Sequence, residues 1–270
     1  MSTKPNSKND SPKCTFCEYN GIVYNPFYIQ GENPLIPCEK CIAPYCKCNG
    51  VEPYYYHEDN QIKDCPCRAV RLRIVKIESI YNNSGIDKYF RWKFFGDYDA
   101  KRSKMANEAK KYAYDLVMNF PKVGKGLYLW GTPGTGKTLL SVIILTELIT
   151  RYGIDGKFIK VSRNYLNKLK DTFNISSDNF GQTSQIEREL VEASVLVIDD
   201  FGVHRDTAWE QETIYNLIDA RYEAQKFTLF TSNNNPNDAL DKLSAGRVLS
   251  RIKEMCKIME LSGDDYRAEI

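Results

Sequence analysis

The octapeptide Gly131-Thr132-Pro133-Gly134-Thr135-Gly136-Lys137-Thr138 fits the spacing Gly-x4-Gly-Lys-Thr of a phosphate-binding P-loop. Glycines at these positions let backbone N–H groups turn inward around a phosphate that a Cβ would obstruct. Lys137 is placed to reach the β- and γ-oxygens, the Thr138 hydroxyl to bind Mg²⁺, and the helix entered through Leu139 to point its positive end at the same charge. A second acidic element is needed to hold the metal. VLVIDDFG supplies it, with Asp199 placed for Mg²⁺ and Asp200 for polarising an attacking water. A third apolar run ends in Thr231-Ser232-Asn233, a polar strand tip suited to orienting that water.

Cysteine is the other chemistry-bearing residue. Eight of the nine lie between Cys14 and Cys67. Cys14-x2-Cys17 and Cys38-x2-Cys41 have the knuckle spacing of one Cys₄ zinc site. Cys46-x-Cys48 and Cys65-x-Cys67 form a second set, so two zinc ions are expected. One zinc with spare thiols, a binuclear site using His57, or an iron–sulfur cluster are the alternatives. Bound Zn²⁺ would supply folding energy that this core-poor region lacks. Cys256 stands apart and reads as a small buried hydrophobe.

These groups need elements to hold them. The chain has 270 residues, 42% hydrophobic and 27% charged, with net charge +2, the balance of a globular protein. The first residues are polar without an apolar signal core, and no apolar run approaches the ~20 residues of a membrane span. A cytoplasmic protein is therefore expected, with thiols kept reduced. Two basic runs, Arg68 to Lys76 and Lys101 to Lys111, read either as solvated helix faces or as partner-binding surface. A disordered leader (1–12), a Cys-rich zinc domain (13–75), a linker (76–104) and an ATPase domain (105–270) are expected. In the last, GLYLW, GKFIKVS, SVLVIDD, FTLFTSN and CKIMELS read as strands and the segments between them as helices. That alternation predicts an α/β fold, a parallel sheet covered on both faces.

The order P-loop, VIDDFG, FTSN, GRVLSRI resembles the AAA+ ATPases, and within them the DnaC/DnaI-type replicative helicase loaders, a group related to the IstB-type ATPases. The resemblance spans roughly residues 80 to 270. It implies an AAA+ sheet sandwiched by helices without a full helical lid, behind a small zinc module that docks the helicase. It also implies ATP as nucleotide and a hexameric helicase and single-stranded DNA as partners. Self-association would run through the ATP site. By the same resemblance Asn233 is the first sensor and Arg251 the finger that completes a neighbour's site, with Arg247 as alternative. Arg267 is a second-sensor arginine. Asp200 stands where most AAA+ proteins have glutamate, and its shorter side chain implies slow hydrolysis. Lys170 and Phe173, with Thr207 and Trp209, combine a cation, aromatics and a hydroxyl suited to phosphate and base. Rival readings are an IstB-like transposition helper, an adaptor that binds ATP with negligible hydrolysis, and a small-molecule kinase. The kinase gives no reason for TSN or GRVLSRI.

Overall fold

The computed structural model describes residues 14–17, 20–25, 27–29, 32–122, 124–202, 207–237 and 246–266, and the chain divides into two compact units, 1–78 and 79–270. In the first, β1 (Ile22–Tyr24) pairs antiparallel with β2 (Leu35–Pro37), and β3 (Tyr55–Glu58) with β4 (Gln61–Asp64). The β3–β4 turn is the pair Asp59-Asn60, at φ 51° and 58°. Asp and Asn tolerate that left-handed backbone, which closes a two-residue hairpin along the natural twist of the strands. Strands of three or four residues enclose little. The buried apolar set is Ile22, Leu35, Tyr54, Ile74, Ile77 and the five cysteines Cys17, Cys38, Cys48, Cys65 and Cys67. Helix α1 (Arg68–Asn82) carries the first basic run.

The second unit is built on five strands in the order β6-β7-β8-β5-β9, all parallel. These are β5 (Gly126–Trp130), β6 (Gly156–Lys160), β7 (Val195–Asp199), β8 (Phe227–Ser232) and β9 (Cys256–Glu260). The helices are α2 (Lys104–Asn119), α3 (Lys137–Tyr152), α4 (Asn167–Asp171), α5 (Thr183–Glu192), α6 (Ala208–Glu223) and α7 (Arg247–Met255). The α2 start is set by Ser103, whose Oγ accepts from Ala106 N at 3.0 Å. Helix α3 is buried nearly all round, as its unbroken apolar sequence requires. After β5 the chain crosses to the far edge at β6, returns through β7 and β8 to lie beside β5, and adds β9 on its other side. That reversal opens a crevice at the carboxyl end of β5, where open α/β sheets bind ligands.

Three features depart from the sequence reading. Residues 79–104, expected as linker, belong to the second unit, where the Trp92 ring is buried and stacked 3.8 Å from Tyr81. The helix expected from Arg163 begins as a π-helical turn (Val161–Leu166) before the short α4. The short helix expected after FTSN falls mostly in 238–245, outside the described residues.

Arg221 of α6 is wholly buried, and burial pulls its guanidinium down to about 9. It donates to the Thr228 hydroxyl and to the carbonyls of Leu190, Val191, Ala193 and Phe227 at 2.6–3.2 Å, tying α6 to the end of α5 and the start of β8. Arg221→Met keeps the stem and removes those donors. It should lower stability by about 3 kcal/mol, since stranded buried acceptors keep their desolvation penalty. Urea unfolding of the full chain measures this, and an unchanged midpoint would refute it.

Candidate nucleotide site and thiolate centres

The P-loop leaves β5 with Gly131, Gly134 and Gly136 at φ 142°, 80° and 90°. Space is closed as well: a Cβ on Gly131 would meet the Leu261 carbonyl at 2.3 Å, and one on Gly134 the Asp265 carboxylate at 1.9 Å. The chain after β9 runs along the loop and fixes it. Thr135 Oγ1 donates to Leu261 O at 2.7 Å, Thr132 Oγ1 to Gly263 O at 2.9 Å, and Tyr266 N to Gly134 O at 3.3 Å. Lys137, buried at the head of α3, turns its ammonium onto the Gly131 and Thr132 carbonyls at 2.9 and 2.7 Å. Pro133 is exposed, and Leu139 half-buried behind Thr138.

Beside Gly136 lies Tyr98, whose ring would touch a Cβ there at 3.1 Å. Tyr98 is buried and its hydroxyl has no hydrogen-bond partner in the described structure; burial drives its ionisation well above the usual phenol range. A glycine cradle next to an orphaned buried hydroxyl fits a polar ligand such as a nucleotide.

The strand tips complete the geometry. Thr138 Oγ1 donates to Asp199 Oδ1 at 2.7 Å, and Thr231 Oγ1 donates to the same oxygen at 2.6 Å. Strand β8 lies between β5 and β7, so Thr231 sits between the P-loop strand and the acidic strand. Burial lifts the Asp199 carboxyl above its ordinary range, while the Thr231 and Thr138 hydroxyls pull the other way. Asp200 is exposed at φ 54°, its N–H held by Thr231 Oγ1 at 3.1 Å. Asn233 follows β8 directly and is exposed. Lys137, Thr138 and Asp199 thus converge, with Asp200 and Asn233 at the same sheet end. The spacing TSN flagged this tip, but the residue bonded to Asp199 is Thr231. Nothing in the sequence singled out Tyr98.

Arg251 points elsewhere. Its polar partners among the described residues are Asp219, Tyr215 and the Arg247 carbonyl, all on α6 and α7. Arg247 lies 5.7 Å from the Tyr215 ring. Arg267 falls outside the described residues. Lys170 and Trp209 do meet: the ammonium stands 5.3 Å from the indole and 2.6 Å from the buried Glu210 carboxylate. Phe173 is 66% exposed in the loop after α4, whereas Trp209 is partly buried against the core. The Thr207 hydroxyl caps α6, accepting from Glu210 N at 3.3 Å.

In the first unit the cysteines gather as Cys14, Cys17, Cys38, Cys41 and as Cys46, Cys48, Cys65, Cys67. A Zn–S bond of about 2.3 Å places tetrahedral sulfurs about 3.8 Å apart. Cys14–Cys38 and Cys17–Cys41 are 3.9 and 3.6 Å apart, and Cys46–Cys48, Cys46–Cys67 and Cys48–Cys67 are 3.8, 3.6 and 3.5 Å. Both sets fit zinc, and the exposed His57 belongs to neither. Gly21 N donates to Cys17 Sγ at 3.3 Å and Lys47 N to Cys65 Sγ at 3.2 Å, the kind of outer bond that orients thiolate ligands. The Cys17 backbone N–H draws the Cys14 thiol down to about 7. Cys256 is buried in the second unit's core, its Sγ 3.4 Å from Thr228 O.

A P-loop on a sheet of this strand order, with an acidic neighbour strand and a polar tip between them, defines an ATP-binding domain of AAA+ type. The chain belongs to the family of IstB-like ATP binding proteins, whose model matches residues 79–269. It is 28% identical over 199 residues to the replicative helicase loader DnaC of Escherichia coli K12, covering 73% of this chain and 78% of that one. Its likeness to the replicative helicase loader DnaI of Bacillus subtilis is 27% over 157 residues, 53% of this chain and 48% of the other. The crystal structure of the DnaC helicase loader superposes with a TM-score of 0.57 at 28% identity, covering 65% of this chain and 99% of that one. No described helix is long and apolar enough to cross a membrane.

Proposed function

We propose that this chain is an ATP-dependent DNA replication protein that loads a hexameric replicative helicase onto single-stranded DNA in the cytoplasm. The observation that carries the reading is the shared Asp199 oxygen bonded by both Thr138 and Thr231, beside a P-loop whose lysine is already buried in it. The likeness to DnaC and DnaI names the client. In this reading Lys137 turns from the Gly131 and Thr132 carbonyls to the β- and γ-phosphates, while Thr138 and Asp199 hold Mg²⁺. Bound there, Mg²⁺ would supply positive charge against the charge that develops on the phosphates. Asp200 receives the proton of the attacking water, which Asn233 helps to orient. Arg251 of a neighbouring copy completes the site, and Arg267 faces the nucleotide from its own chain. Residues 131–139 form the binding loop, and Tyr98 offers its hydroxyl to the same ligand. The two Cys₄ centres take Zn²⁺ and shape the unit that meets the helicase.

Single-stranded DNA would lie across Phe173, Lys170, Thr207 and Trp209. Of these Phe173 is the most available for base stacking. Phe173→Ala should weaken binding of a fluorescent oligonucleotide by about 10-fold or more, the usual worth of one stacked base. Unchanged binding would remove this surface from the proposal.

A second reading, the transposition helper, draws support from the IstB-like family itself. A third, the adaptor with negligible turnover, draws support from Asp200, a short carboxylate held on a left-handed backbone. Reconstitution separates the first two: a loader increases unwinding of a primed single-stranded circle by a hexameric replicative helicase in an ATP-dependent manner. Absence of that effect, with ATP-dependent stimulation of a transposase instead, would overturn the loader.

A further inference from the structure

The face of α6 that meets α7 repeats Tyr215, Asp219 and Tyr222, residues one and two turns apart. Against it α7 presents Arg247 and Arg251, again one turn apart. The two arginines are held differently. Arg247 has a ring at 5.7 Å. Arg251 has two, with its guanidinium carbon 5.1 Å from the Tyr215 ring and 5.4 Å from the Tyr222 ring. The Tyr222 ring is itself pinned by its hydroxyl, which donates to Glu254 at 2.8 Å.

The edges of the Arg251 guanidinium are assigned as well. It carries five N–H donors in one plane. Nε donates to Asp219 Oδ1, Nη2 to the Tyr215 hydroxyl at 3.2 Å, and Nη1 to the Arg247 carbonyl at 3.3 Å. Each terminal nitrogen therefore keeps one N–H without a described partner, and the side chain is still 22% exposed. A pair of parallel N–H groups, one on each Nη, is the fork that binds two oxygens of a phosphate. A free arginine loses rotamer entropy on docking. Here a carboxylate at Nε, the Tyr215 hydroxyl at Nη2 and the nearby Tyr222 ring already hold the guanidinium.

We propose that Asp219, assisted by Tyr215, is the positioning residue for Arg251, holding the Nη1/Nη2 edge outward for the phosphates of a nucleotide bound by a neighbouring copy of this chain. The proposal rests on the reading of Arg251 as the residue that completes a neighbour's site, and it selects Arg251 over Arg247 for that task.

The test is a mixing assay on full-length chains, reading ATP turnover. Lys137→Ala has a dead P-loop but keeps Arg251; Arg251→Ala keeps the P-loop but brings no guanidinium to its neighbour. Mixed, the two should recover turnover at the interfaces where one supplies what the other lacks. Adding Asp219→Asn to the Lys137→Ala chain should cut the recovered kcat on the order of 10-fold with KM for ATP unchanged, because orientation and not binding is lost. Adding it to the Arg251→Ala chain should leave the recovery intact, since no guanidinium remains there to position. Asp219→Glu in the Lys137→Ala chain should restore part of the rate. Equal loss in both placements would show a purely structural ion pair and overturn the proposal, as would no loss in either. No recovery in the parent mixture overturns the reading of Arg251 itself and the proposal with it.

Discussion

Stripping zinc from the full chain is expected to release two equivalents of metal and to unfold the first unit, while the five-stranded sheet stays folded. The reason is the make-up of the first unit's core. Its buried hydrophobic side chains are five cysteines with only Ile22, Leu35 and Tyr54 beside them and Ile74 and Ile77 on α1. Two hairpins of three- and four-residue strands do not hold themselves in water. A structural zinc contributes on the order of 10 kcal/mol or more of apparent binding energy, and in such modules that is folding energy. Once the metal leaves, four sulfurs held 3.4–3.9 Å apart in the second centre lose what drew them together. Helix α1 should loosen at its start too, because its first turn hangs on the second centre: Arg68 N donates to Cys65 O at 2.9 Å and Arg71 N to Cys67 O at 3.0 Å. The sheet unit shares none of this, and its β-branched strands are buried without metal. Elemental analysis with region-resolved hydrogen exchange before and after chelation reads both halves of the expectation. Fewer than two zinc per chain would refute the two-centre arrangement. First-unit amides as protected after chelation as before would refute the metal's structural role.

Much of this architecture was legible because it depends on local pattern. The glycines of the P-loop announce a backbone that other residues cannot follow, and the structure has them at positive φ. The apolar runs before Asp199 and Ser232 announce buried parallel strands, and those strands end where the carboxylate and hydroxyls are needed. The cysteine spacings separated two clusters without help from tertiary contacts. What stayed hidden depends on partners far along the chain. Arg221 sits in a helix whose sequence marks Tyr222 for the core, yet the arginine is buried, because four carbonyls from α5 and β8 converge on it. Thr231 looks like any strand threonine until β8 inserts beside β7 and brings it to Asp199. Tyr98 lies in a stretch that reads as a connector, and only the folded P-loop gives its hydroxyl a meaning. Arg71 and Arg73 read as solvated or partner-binding surface because their partners, the Tyr54 ring and the Asn20 carbonyl, come from other segments.

Lys137→Ala should lose ATP turnover by on the order of 10²- to 10³-fold, the scale of removing one preorganised donor from a developing negative charge. The ammonium is buried, and its described partners are the Gly131 and Thr132 carbonyls, which belong to the loop itself. From that partly desolvated position it would reach the phosphates of a bound nucleotide by a side-chain swing, and a charge acts more strongly there than in bulk water. Alanine removes the charge and its bonds to the Gly131 and Thr132 carbonyls but leaves the glycines, the Thr138–Asp199–Thr231 bonds and the start of α3, so the chain should keep its fold. Binding of ATP-Mg should weaken less than turnover, because backbone N–H groups, the helix terminus and the Thr138–Asp199 pair remain. Turnover measured with and without single-stranded DNA, alongside nucleotide affinity, reads the two effects separately. If wild type and Lys137→Ala hydrolyse equally, the reading of the chain as an ATPase fails. If they differ in affinity while both turn over negligibly, Asp200 is too short to work the water, and the nucleotide serves to hold an assembly together.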